Sequence, residues 1–334
     1  MQSAEAAQYA ELKRRIVAAG LLRRQPVYYT LTIGLTVGAL LACFVLLAAV
    51  HNVAVWALDA AAIGFLFGQI GLLGHDACHN GVFRSARANR LLAIFLDDLL
   101  VGLDSGWWRW NHNNHHINSN EVDVDPDTHY PVFAFTNDQA LGKPAALQPW
   151  IARQHRTVFA LLPAASYSLR IQSWRFLESR PELALERRAF LAHWVLYFGF
   201  VLWALGPAWG LGWIVLHQIL GGAYVAGITE PNHWGRPPSQ DLGDVGFLRR
   251  QVITSRNIRG GWWIDLWCGG LNWQIEHHLF PSMPRNNLRS AARIVRPYCE
   301  ELGIHYHVNG FFEAWLESER TLSLVAAFMR SQLA

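Results

Sequence analysis

Residues 53–79 read VAVWALDAAAIGFLFGQIGLLGHDACH, an apolar run that ends directly in two histidines four residues apart, His75 and His79. A helix crossing a bilayer needs ~20 mostly apolar residues. The run from 53 to 74 therefore predicts a membrane span with the histidine pair at its end. Imidazoles at i and i+4 share one helical face, so a helix continuing through this pair points both rings at one place.

Working outward, three more apolar runs can be drawn as spans, at residues 27–50, 190–205 and 208–228, the run at 190–205 being on the short side. Only His51 and Asn52 separate the first two spans, and only Gly206 and Pro207 the last two, which predicts two tight helical hairpins. All 28 Lys and Arg fall in the remaining segments, residues 1–26, 75–189 and 229–334. The positive-inside rule assigns these three segments, and with them both termini, to the cytoplasm. The expected fold is all-α: one integral membrane domain over residues 1–334, with four transmembrane helices in two hairpins and a cytoplasmic helical cap holding a di-metal site.

Composition supports this class, because 52% apolar residues, 16% charged residues and 16 Trp are unlike a soluble globular enzyme. The net charge of +3 is explained by contact with anionic lipid heads, and no motif points to nucleic acid. Lys13, Arg14, Arg15, Arg23 and Arg24 precede the first run as in a signal peptide. That run is too long for a signal core and lacks a small-residue cleavage pattern, so a retained helix is expected. The stretch from Leu91 to Leu103 is too short to span and contains Asp97 and Asp98, which predicts a surface-lying or re-entrant segment. Residues 138–180 read as amphipathic helices on the membrane surface. Two C-terminal helices are expected at 287–301, broken near Pro297, and at 311–332.

Two more histidine clusters lie in the segments assigned to the cytoplasm: His112-Asn-Asn-His115-His116 and Gln274-Ile-Glu-His277-His278, with His233 alone between them. Neutral imidazole suits iron, copper, nickel or zinc. Cys43, Cys78, Cys268 and Cys299 show no paired spacing, which argues against a thiolate metal site or a disulfide framework. Metal-ligating imidazoles usually pass their second N–H to a carboxylate or carbonyl. Asp76, Asp125, Asp127 and Glu276 stand close enough in sequence for that role, although Asp125-Pro126-Asp127 reads equally well as a turn. The remaining histidines at 51, 155, 193, 217, 305 and 307 read as structural or surface residues, and His129 stays open. Trp107, Trp108, Trp110, Trp262, Trp263, Trp267 and Trp273 suit either an acyl tunnel or an interfacial belt. Arg249, Arg250, Arg256 and Arg259 suit either the phosphates of a head group or ordinary positive-inside charge.

From about Gly74 to about Arg285 the three boxes resemble those of the membrane fatty acid desaturase and hydroxylase superfamily. His112-Asn-Asn-His-His-Ile-Asn-Ser-Asn120, followed by Asp125-Pro-Asp-Thr128, and Gln274-Ile-Glu-His-His-Leu-Phe-Pro281 are similar to desaturases more than to hydroxylases. The Gln-led third box is similar to that of front-end acyl and sphingolipid desaturases. The resemblance implies two iron ions held by His75, His79, His112, His115, His116, His233, His277 and His278. Gln274, where other branches place histidine, is then a weak or water-mediated ligand or an orienting neighbour. It also implies O2 as co-substrate, an acyl-CoA or acyl-lipid substrate in the surrounding membrane lipid, and a cis double bond as product. Those relatives often carry a fused cytochrome b5 domain. No His-Pro-Gly-Gly haem sequence occurs here, so electrons are expected from a separate ferredoxin or cytochrome b5-type donor with its reductase.

A hydroxylase or related oxygenase of the same superfamily would use the same ligands. A metal transporter or sensor would place ionisable residues along its spans, where this chain has few: Asp59, His193 and His217.

Overall fold

The computed structural model describes residues 2–334. In chain order the helices are α1 (Gln2–Ala18), α2 (Pro26–Ala49), α3 (Val53–Cys78), and α4 (Ala86–Ala93) running into a π-helical stretch at Ile94–Val101. Then follow α5 (Ser105–Ile117), the short α6 (Asn137–Leu141), α7 (Gln148–Ile151) and α8 (Gln154–Leu161), and α9 (Ala165–Glu178). The chain continues through α10 (Ala184–Leu205), α11 (Pro207–Thr229), α12 (Phe247–Ile253), α13 (Trp262–Trp267), α14 (Gln274–Leu279), α15 (Arg285–Glu301) and α16 (Phe311–Leu333). Among the described residues the only strands are a parallel two-residue pair, Asn257–Ile258 with Val308–Asn309. The fold is all-α, and α2, α3, α10 and α11 are long and apolar enough to cross a membrane.

The hairpin linkers are short because their residues are helix caps. The Asn52 side chain accepts from the N–H groups of Ala54 and Val55 and starts α3. Gly206 adopts φ 74°, which ends α10, and Pro207 opens α11 where a missing N–H costs nothing. The third span is not short: α10 begins at Ala184, and its first turns carry Glu186, Arg187 and Arg188. Hydropathy marks where charge stops, while backbone hydrogen bonding continues past it.

The chain divides into two compact units. One comprises residues 24–110 and 162–227 and holds all four long apolar helices. Its core gathers Phe67, Ile70 and Leu73 of α3 with Leu96, Tyr197, Val201 and Trp213. At Gly64 an added Cβ would lie 3.1 Å from the backbone nitrogen of Gly221, so α3 and α11 approach through small residues. The π-helical stretch packs on α3 and α10 and encloses Asp97 and Asp98, 2% and 0% exposed, within protein. Of the surface-lying and re-entrant placements open to this stretch, enclosure within the helices fits the re-entrant one; burial pushes both carboxyls well above the usual carboxylate range.

The other unit comprises residues 1–23, 111–161 and 228–334. Leu12 and Ile16 of α1 pack with Val252, Ile275, Leu279 and Val295 in its core, and α16 runs against α6, α7 and α8. The break expected at Pro297 does not occur, and α15 runs unbroken from Arg285 to Glu301. Proline removes one backbone bond, and the buried Val295, Tyr298 and Cys299 on either side hold the helix together.

Candidate metal centre

The membrane-helix unit carries the first box. His75 sits on the last turn of α3 and His79 caps it, with ring centroids 4.8 Å apart. His75 Nδ1 lies 3.2 Å from Asp76 Oδ1, and Asp76 Oδ2 accepts from the Tyr29 hydroxyl at 2.8 Å. Trp108 meets both imidazoles, with centroid distances of 4.9 Å to His75 and 6.1 Å to His79.

In the other unit, the residues of α5 from 111 onward carry His112, His115 and His116; α14 carries His277 and His278, and His233 follows the 3-10 turn Glu230–Asn232. Ring nitrogens of His115, His233 and His278, all buried, lie within 4.8 Å of one another. Each of these rings is fixed through Nδ1 by a different acceptor. Asp125 holds His115 at 2.9 and 3.0 Å, the Thr254 carbonyl holds His233 at 3.0 Å, and Gln251 Oε1 holds His278 at 2.8 Å. An imidazole that donates through Nδ1 presents a lone pair at Nε2, the state a metal binds.

The remaining three rings crowd differently. His116 Nε2 lies 3.0 Å from His112 Nε2 and 3.1 Å from His277 Nε2. Two nitrogen ligands about 2.1 Å from one ion, at right angles, sit roughly 3 Å apart. A single ring proton cannot satisfy three converging nitrogens, whereas one cation can. The donor set fits iron: imidazole nitrogens, no thiolate among them, and carboxylates behind.

The electrostatics separate the triad. Burial disfavours charge on His115, yet Asp125 and Asp127 outweigh it and bring its pKa up to about 9. Burial and the adjacent His115 push His233 down to about 3. One ring is therefore made a strongly basic donor by its carboxylates, and its neighbour is kept neutral.

Gln274 stands at the inward face, its Nε2 3.0 Å from His233 Nε2 and its Oε1 accepting from Asn232 Nδ2 at 3.3 Å. Glu276 turns to other partners, accepting from Asn257 Nδ2 and the Tyr306 hydroxyl, both at 2.7 Å, and burial raises its pKa to about 7. It ties α14 to the strand pair and bonds to no imidazole among the described residues. Asp125 both anchors His115 and caps its turn, accepting from the Asp127 N–H at 2.9 Å, so the two readings of that stretch hold together.

Sequence reasoning missed Gln251 and Thr254. Gln251 is 0% exposed and joins two boxes: its Oε1 accepts from His278 while its Nε2 donates to the His116 carbonyl at 2.8 Å. Residues 251–257 contain no histidine and no spacing that marks them, because their role arises from tertiary packing. The arginines weighed for phosphate binding are largely committed elsewhere. Arg256 pairs with Glu317 at 3.0 Å, Arg259 with Glu313 at 2.7 Å and Arg249 with Glu5 at 3.6 Å. Trp262, Trp263 and Trp267 on α13 are exposed, while Trp107 is buried in the core of the membrane-helix unit.

The four long apolar helices fit a helical membrane protein, and its buried, anchored imidazoles form groups that could hold a metal ion. Residues 51–310 match the fatty acid desaturase family, and the chain belongs to that family. It is 31% identical to a Delta(6)-fatty-acid desaturase of Caenorhabditis elegans, over 83% of this chain and 66% of that protein. It is 28% identical to a Delta(8)-fatty-acid desaturase of Borago officinalis, over 95% and 75%. A Delta 8-(E)-sphingolipid desaturase of Kluyveromyces lactis is 29% identical, over 92% of this chain and 56% of its own length. The chain thus spans about two thirds of the length of the first of these relatives.

Proposed function

We propose that the protein is an oxygen-dependent desaturase that introduces a cis double bond into the acyl chain of an acyl-CoA or acyl-lipid. The observation that carries this reading is the His115, His233 and His278 triad, each ring held through Nδ1 by its own acceptor and the three gathered with ring nitrogens within 4.8 Å of one another. The names of the relatives supply the substrate class.

In this reading His75, His79, His112, His115, His116, His233, His277 and His278 hold two iron ions, and Gln274 is a weak or water-mediated ligand. Bound iron would supply the O2-dependent oxidation that an unactivated C–H bond demands. Two adjacent CH2 groups each lose one hydrogen; O2 accepts those two electrons and two more from a separate ferredoxin or cytochrome b5-type donor and, with two protons, becomes two waters. Asp76, Asp125, the Thr254 carbonyl and Gln251 keep the imidazoles in the tautomer and orientation that ligation needs. The distribution of Lys and Arg supports a cytoplasmic location for the histidines and both termini.

The test is expression in a host of simple lipid composition, with mass spectrometry of total fatty acids and double-bond localisation beside a His115→Ala control. A product two mass units lighter, absent from the control, is expected. A product sixteen units heavier would move the protein to the hydroxylases.

A further inference from the structure

The membrane-helix unit holds an open cleft of about 580 Å³, within the roughly 300–1,000 Å³ typical of small-ligand sites. It opens beside the first turn of α10, where that long apolar helix gives way to Glu186, Arg187 and Arg188. The polar end of a spanning helix lies at the depth of lipid head groups. Its walls are neither uniformly basic nor apolar: Arg90, Arg109 and Arg180 stand with Glu186, Trp110 and Phe176.

Each of these groups bears on what fits. Glu186 is 2% exposed; one of its oxygens accepts from Arg90 at 2.7 Å, and the other is buried with no hydrogen-bond partner among the described residues. A buried carboxylate oxygen without a donor calls for a cationic or N–H-bearing group. Trp110 and Phe176 lie beside it, ring centroids 5.8 Å apart, offering aromatic surface of the kind that receives ammonium groups. Arg109 has a buried Nε with no hydrogen-bond partner among the described residues, and its guanidinium also stands near Cys78 and Asp97. Arg180 stacks over Phe176 at 5.3 Å and is held only loosely by Glu182, at 3.8 Å. Guanidinium groups of this kind suit phosphate oxygens. The N–H groups that begin α5 take no part, because Asp104 already accepts from those of Gly106 and Trp107.

We propose that this cleft binds the head group of a zwitterionic phospholipid, with its phosphate between Arg109 and Arg180 and its ammonium against Glu186, Trp110 and Phe176. The inference rests on the desaturase reading and sharpens it, naming a phospholipid rather than coenzyme A as the acyl carrier. Coenzyme A carries N–H groups but brings several phosphates and no cation to offset them, which the carboxylate of Glu186 disfavours.

The probes are dihexanoyl phosphatidylcholine, dihexanoyl phosphatidylglycerol and coenzyme A, titrated by equilibrium dialysis onto the purified full chain in detergent. Phosphatidylcholine is expected to bind about tenfold more tightly than either other probe. Glu186→Gln should erase the preference over phosphatidylglycerol, and the exposed Arg180→Glu, which threatens no buried pair, should weaken phosphatidylcholine about tenfold. Coenzyme A binding best, or phosphatidylcholine binding unaltered in Arg180→Glu protein, overturns the proposal. In turnover with an acyl phosphatidylcholine, Arg180→Glu is expected to raise KM with kcat little changed; an unchanged KM overturns the carrier assignment. Dialysis is independent of turnover, so a wild-type protein that binds the lipid and yields no desaturated product would sink the desaturase reading alone.

Discussion

Two groups of buried histidines in this chain look alike in burial and differ in how they are held. His193 and His217, in the long apolar helices, are 4% and 1% exposed, and His115, His233 and His278 are similarly enclosed. His193 Nδ1 bonds to the Leu99 carbonyl at 3.0 Å and His217 Nδ1 to the Tyr197 hydroxyl at 2.7 Å. Both pack edge-on against Phe67, with ring centroids at 5.9 and 4.8 Å. The triad has Asp125 behind one ring and ring nitrogens gathered within 4.8 Å. Burial and an Nδ1 anchor are thus common to both groups. Convergence of ring nitrogens and a carboxylate behind them separate a ligand set from histidines that brace a helix bundle.

The largest test of that contrast is alanine substitution in each group. His278→Ala or His115→Ala should abolish turnover while leaving membrane insertion intact, as scored by product formation and by recovery from the membrane fraction. His217→Ala should keep its metal and most of its activity, losing about 1–3 kcal/mol of stability from the unmet Tyr197 hydroxyl. If His217→Ala protein were as dead and metal-depleted as His278→Ala, the distinction would fail.

A smaller effect is expected from the anchors. Asp125→Asn and Gln251→Leu leave every ligand in place but remove what orients His115 or His278. Each should cost about 10–100-fold in metal affinity or activity, measured by iron retention during chelator dialysis. Tyr197→Phe, the matching change in the bracing group, should leave iron retention unaltered.

Gln274→His sharpens the comparison further by adding an imidazole at the inward face of His233. Partial or altered activity is expected, with metal retained. An inactive, metal-free protein would mean that Gln274 packs where a ring cannot enter.

The smallest effect lies away from both groups. Burial opposes ionisation of Glu317, yet His307 and Arg256 outweigh it and hold its pKa down to about 2. A carboxyl held below its unfolded value contributes stability that is present above the unfolded pKa, about 4.3, and is lost as pH falls through the folded one. Glu317→Gln should therefore melt below wild type at pH 7, with the gap closing between about pH 4.3 and pH 2. A gap that persisted at the acid end would show that the substitution acts by packing instead.

Much of this was legible in residue order. Histidines at i, i+3 and i+4 give their own geometry once a helix forms, and two-residue linkers such as Gly206-Pro207 announce a turn between apolar runs. Asp76 and Asp125 could be picked out because each is close in sequence to the imidazole it holds. Gln251, Thr254 and Asn257 could not, since they reach their partners through the fold. Pro297 misled because a proline's local cost is visible in sequence, while the buried neighbours that outweigh it are not. Asp97 and Asp98 left two placements open, surface-lying or re-entrant, because only packing shows what encloses a pair of acids in an apolar run.

The most direct measurement is metal content of the purified full chain by elemental analysis, with Mössbauer spectroscopy of iron-57-grown protein, in wild type and His278→Ala. About two iron ions per chain in nitrogen-rich ligation are expected, with clear loss in the variant. Zinc in place of iron, or iron content untouched by His278→Ala, would contradict that expectation.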